Sequence, residues 1–219
     1  MIYQYYTFPN GIRLVHRHEA AAVAHCGLFV NAGSRDESDR ERGMAHFIEH
    51  VIFKGTRRRK VYHIMSRLDN VGGDLNAFTT KEETCVYASF LHEYYERTLE
   101  LFSDIIFNSV FPEKELEKEK EVIIDEIKSY KDSPGELIFD DFEDLVFHGH
   151  PLGYNILGTG SSIKRFKKED IYRFMDRTYS TDQMLICSVG NIKFEKLLRM
   201  VGRYFADKEP KPGKYTREL

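Results

Sequence analysis

"ESDRERGMAHFIEHVIFKGTRRRK", residues 37–60, sets two histidines four apart with a glutamate touching the second: His46-Phe47-Ile48-Glu49-His50. Ser38 and Glu41 form an S-x-x-E capping box ahead of it, which predicts a helix from near Asp39 to near Gly55. Four helical residues turn through about 400°, so His46 and His50 project from one face, one turn apart, as two imidazoles sharing a cation must. Glu49 lies beside that face, placed to take a proton from a water whose pKa a bound metal lowers to about 7. A third ligand is still needed. Alone, the pattern leaves a polar helix face open as the alternative, because histidine pairs at this spacing also arise by chance. Gly43, inside the expected helix, costs up to about 1 kcal/mol against alanine, which points to a neighbouring backbone that needs the room.

Outward from this helix the pattern is mostly strand on both sides. Upstream, Asn10-Gly11 in "TFPNGIRLVHRH" separates two β-rich runs and predicts an antiparallel hairpin, followed by a third strand from Val23. Downstream, "VYHIMSRLDNVGG" reads as a short helix closed by Gly72-Gly73, then "DLNAFTT" and "TCVYASF" as strands. Helices are expected at about 92–108, 113–131, from Pro134, 168–178 and 194–205, with the strand "QMLICSVGN" between the last two. That order predicts an α+β fold, helices packed on one face of a mainly antiparallel sheet. Residues 1–207 are expected to form one domain. The charged, proline-containing tail 208–219 reads as a linker toward a further domain.

Composition excludes several classes of function. With 32 basic and 35 acidic residues and a net charge of −3, no overall field draws in nucleic acid or an anionic membrane. Arg57-Arg58-Arg59-Lys60 is too short to change that and reads as a solvated loop. No apolar run reaches the roughly 18 residues of a membrane span. Cys26, Cys85 and Cys187 are odd in number and set among apolar residues, which suits free thiols in a reducing, cytoplasmic compartment.

The stretch 113–131 bears on the missing ligand. At about 100° per residue, with Leu116 at 0°, the apolar residues Ile123, Ile127 and Tyr130 fall within about 40° of it. Glu117, Glu121, Asp125 and Lys128 fall on the solvent side. Glu119 and Glu126 stack instead near 300° and 280°, between the apolar stripe and Val122, and are expected to point inward. Carboxylates there need a metal or a hydrogen-bond network, since burying an unpaired charge is costly; snorkelling glutamates on a half-exposed edge are the alternative.

HxxEH is the inverted zinc motif. Together with "NAGSRDE", "HFIEHVIFKGT", "GGDLNAFTTKEETCVY", "EKEVIIDEI" and "GHPLGYNILGT" in order, it resembles the pitrilysin-type metallopeptidases, in the branch of the mitochondrial processing peptidase and its bacterial relatives. The resemblance spans nearly the whole chain from Tyr6 to Asn191. It implies zinc held by His46, His50 and Glu126, Glu49 as general base, and Glu119 as a carboxylate close to the metal. It further implies a zinc endopeptidase in which an edge strand over Leu75–Thr79, through Asn76 and Ala77, pairs with an extended peptide substrate. Such enzymes build a chamber from two homologous halves, so the expected partner is a second domain or subunit, or a second copy of this chain in a homodimer. A non-catalytic partner subunit is the alternative reading, although such subunits usually lose ligands that are all present here. S-Ribosylhomocysteine lyase also uses HxxEH, but takes its third ligand from a cysteine for which no comparable motif exists in this chain. His148 and His150, at i, i+2 beside a proline, read as a structural loop.

Overall fold

Alternating apolar residues make the strands, and their register gathers one buried face. The computed structural model describes residues 2–213 and Arg217. Its strands are β1 (Gln4–Thr7), β2 (Arg13–His18), β3 (Val23–Val30), β4 (Asp74–Thr79), β5 (Thr84–Leu91) and β6 (Met184–Gly190). They form one sheet in the order β1-β2-β6-β3-β5-β4, with β2 and β6 parallel and the other neighbours antiparallel. Leu14, Ile186, Leu28, Val86 and Ala77 stand in register across five strands, and all are buried. One residue along, Val15, Cys187 and Tyr87 are half-buried and Asn76 is exposed, because successive side chains of a pleated strand point to opposite faces.

Eight helices accompany the sheet among the described residues: α1 (Met44–Val51), α2 (Val61–Asp69), α3 (Tyr95–Asn108), α4 (Glu113–Lys131), α5 (Pro134–Val146), α6 (Gly160–Arg165), α7 (Lys168–Thr178) and α8 (Phe194–Phe205). Contacts of α1 and α2 with β4, of α3 with β3 and β5, and of α8 with β2 cover the buried face. This is the expected α+β class. The Asn10 amide ties the opening hairpin to this layer by donating to the Phe205 carbonyl at 2.8 Å. None of the described helices is long and apolar enough to cross a membrane. The three cysteines are free, and burial pushes the Cys85 thiol up to about 12.

Three local expectations change. The motif helix begins at Met44 rather than near Asp39, although Ser38 and Glu41 still pair through the Ser38 N–H and hydroxyl; those bonds close a turn instead. The basic run is not wholly solvated: Arg59 bridges Glu100 at 2.7 Å and the buried Asp104 at 2.6 Å, anchoring the loop to α3. Val122 is exposed, so the carboxylate face of α4 lies at a rim and not deep in the core. The short helix α6, for which no expectation was stated, is capped by Thr159, whose hydroxyl accepts from Ser162 N–H. In the tail, the Lys211 carbonyl accepts from Thr181 N–H, and Gly213 N–H donates to Asp182; residues 214–216, 218 and 219 of the expected linker lie outside the described residues.

Candidate metal centre

The candidate site starts from the way α1 is begun. Gly43 caps it with φ +90°, the left-handed region that favours glycine, so no helix can run through it. The N–H groups freed at the helix start are taken by a buried carboxylate: Glu37 accepts from Gly43 and from Ala45, both at 2.8 Å. Burial pushes Glu37 up to about 8 against these two donors. A Cβ on Gly43 would lie 2.7 Å from the Leu157 carbonyl oxygen and 3.0 Å from Gly158 Cα, so the neighbouring backbone does fill the room this glycine leaves. Gly43→Ala is expected to destabilise the chain by about 2 kcal/mol or more in urea unfolding, from forced positive φ and backbone overlap together; an unchanged midpoint would remove this account.

With α1 so placed, His46 and His50 face α4. Their rings lie 4.6 Å apart between centroids. His46 Nε2 is 3.3 Å, and His50 Nε2 3.5 Å, from the same atom, Glu126 Oε2. One ligand atom from each of the three residues lies within 4.8 Å of the others, a cluster of metal-binding type. The two remaining imidazole nitrogens also face carboxylates: His50 Nδ1 is 3.2 Å from Glu119 Oε2, and His46 Nδ1 is 3.6 Å from Glu49 Oε2. Burial pulls His46 down, but its hydrogen bonds with Glu126 and Glu49 and their charges outweigh this and raise it to about 9. The same bond from His46 holds Glu126 below the ordinary carboxylate range. Glu119 is 12% exposed and Glu126 42%, so one is buried behind the site and the other stands at its mouth.

A groove of about 310 Å³ opens at the site, lined by His46, Glu49 and Glu126 together with Phe78 and Thr79 at the end of β4. β4 is the edge of the sheet. Asn76 and Ala77, the expected substrate contacts, lie earlier on this strand, outside the groove lining; Asn76 Oδ1 accepts the N–H of Ala77 at 2.8 Å. Tyr130, Asp140, Asn155, Ile156 and Leu157 complete the wall. Tyr130 could have been found from its angle beside Glu126 on α4. The other four come from α5 and a loop, where no periodicity marks them. His150 is structural as expected, its Nδ1 accepting Leu152 N–H at 3.2 Å.

A helix pair with a His/His/Glu cluster, its first helix packed on β4 at the open edge of a mostly antiparallel sheet, defines the chain as an α+β domain bearing a candidate metal centre. Comparison supplies the family. The sequence model of the insulinase family (peptidase family M16) matches residues 13–160, and that of the peptidase M16 inactive domain matches residues 165–218. The chain belongs to the insulinase family, peptidase family M16, in agreement with the resemblance its motifs carry. It is 37% identical over 212 residues to an uncharacterized zinc protease, YmxG, of Bacillus subtilis (strain 168), covering 96% of this chain and 51% of that one. It is 36% identical over 200 residues to a probable mitochondrial-processing peptidase subunit beta of Arabidopsis thaliana, covering 91% and 38%. The crystal structure of a protease from Helicobacter pylori shares the fold with a TM-score of 0.93 at 22% identity, covering 100% of this chain and 54% of that one. The chain thus spans about half, or less, of the length of these relatives.

Proposed function

We propose that the chain holds one zinc ion through His46, His50 and Glu126 and forms the hydrolytic site of an endopeptidase acting on peptides or unfolded segments. The observation that carries this reading is the spacing of the ligand atoms. Tetrahedral ligands about 2.0–2.1 Å from zinc stand about 3.3–3.4 Å apart; the two separations to Glu126 Oε2 are 3.3 and 3.5 Å, and all three ligand atoms lie within 4.8 Å of one another. Zinc bound there would supply Lewis-acid chemistry toward water and a peptide carbonyl. Glu49, on the groove wall, accepts the proton of the attacking water and returns it to the leaving amine. Glu119 accepts Nδ1–H of His50, which leaves Nε2 free to ligate. An extended substrate adds to the open edge of β4, replacing Asn76 as the partner of Ala77 N–H. A homologous second domain or subunit, or a second copy, completes the chamber; relatives about twice as long support this. Three free thiols fit a reducing compartment such as the cytoplasm.

Zinc titration of the metal-free chain across pH tests the reading. One zinc per chain is expected, and the apparent affinity should rise about tenfold per pH unit toward about pH 9, because His46 must release its proton to ligate. Stability without metal should move the other way. The folded-state pKa of His46, about 9, exceeds the ordinary imidazole value of about 6.5, so its contribution is fully present below about pH 6.5 and is lost as pH rises through 9. A chain that takes up no zinc at about pH 9, where His46 has released its proton about half of the time, would sink the proposal.

A further inference from the structure

Lys54 sits in the turn just after α1, its N–H donating to the Val51 carbonyl at 3.0 Å, and the hydrolytic scheme leaves it without a task. Its ammonium is 2.7 Å from Glu119 Oε1, while the other oxygen of the same carboxylate faces His50 Nδ1 at 3.2 Å. Lys54 is 25% exposed and Glu119 12%, so this bridge from the end of α1 to α4 is largely shielded from water. We infer that Lys54 is a positioning residue for the metal centre, clamping Glu119 in the orientation that receives the His50 Nδ1–H and so aims His50 Nε2 at Glu126 Oε2. This rests on the zinc site proposed above.

The geometry supports positioning because a carboxylate held by one partner can rotate, whereas one held at both oxygens, by His50 on α1 and by Lys54 just after it, has a single arrangement. The opposite effect is also physical: Lys54 is a cation close to a cation site, and removing it lessens repulsion of zinc. The two effects have opposite signs. Positioning predicts that zinc binds more weakly without Lys54, and bare charge predicts that it binds more tightly.

Zinc affinity measured by competition with a chelator decides between them, on the chain and on Lys54→Met, Lys54→Gln, Lys54→Arg, Glu119→Gln and the double variant Lys54→Met/Glu119→Gln. Lys54→Met should weaken zinc binding about tenfold, the lower range for residues that orient a ligand, with Lys54→Gln as the second variant should the first not fold. Lys54→Arg should recover affinity to within about threefold, since a guanidinium also holds a carboxylate. In the Glu119→Gln background, Lys54→Met should change affinity by less than about twofold, because Lys54 acts through Glu119. Unchanged or tighter binding in the Met and Gln variants, or an equal loss with and without Glu119, would overturn the inference. Glu126→Gln is the control that separates the two failures. If it keeps its zinc, the metal-site reading itself fails; if it loses zinc while the Lys54 variants do not, only the role of Lys54 falls.

Discussion

Glu126→Gln should strip the chain of zinc, lowering affinity by at least about 100-fold, since loss of a residue that merely orients a ligand already costs up to that much. The amide keeps the size of the side chain but loses its charge, and a neutral oxygen is a poor donor to zinc beside two neutral imidazoles. Folding should be spared, because Glu126 is 42% exposed and the replacement buries nothing new. A second reading accompanies the first. His46 is held near 9 partly by its bond to Glu126, so in the variant its titration should move down toward the ordinary imidazole value. Elemental analysis after dialysis and titration of the His46 resonance give both results. A variant that stays loaded would remove Glu126 from the ligand set.

Glu49→Gln should separate binding from chemistry. Glu49 contacts His46 only at 3.6 Å and lies outside the three-atom cluster, so zinc content should stay near one per chain. Hydrolysis should fall by about 10²–10⁴-fold, the usual contribution of a positioned general base. The measurement is cleavage of an extended reporter peptide by the zinc-loaded chain, alone and with the second half proposed above. Undiminished turnover would assign the proton transfer elsewhere, and loss of zinc together with activity would make Glu49 a structural part of the centre.

Much of this was legible in the residues. The hairpin at Asn10-Gly11, the helix at 113–131 and the strands at 74–79 and 84–91 all lie where periodicity and turn residues place them. Glu119 and Glu126 share the face that their angle on the helix indicates. What misled was local chemistry with two outcomes: the Ser38 and Glu41 pairing caps a helix or closes a turn equally well, and the choice fell to Gly43 pressed against Leu157 and Gly158. Arg59 looked like one of four solvated cations because its partners, Glu100 and Asp104, lie some forty residues away.

Residue pattern alone carries the α+β class and the presence, on one helix face, of two imidazoles with a carboxylate beside them. Both depend on backbone periods of two and 3.6 residues, which neighbouring residues impose. Packing in three dimensions is what brings Nε2 of each histidine to one oxygen of Glu126, sets Glu119 behind His50 and closes the other side of that carboxylate with Lys54. Those pairings depend on how α4 packs on α1, and α1 on β4. That packing is set by burial summed over residues far apart in the chain, including Met44, Ile48, Leu116 and Ile123.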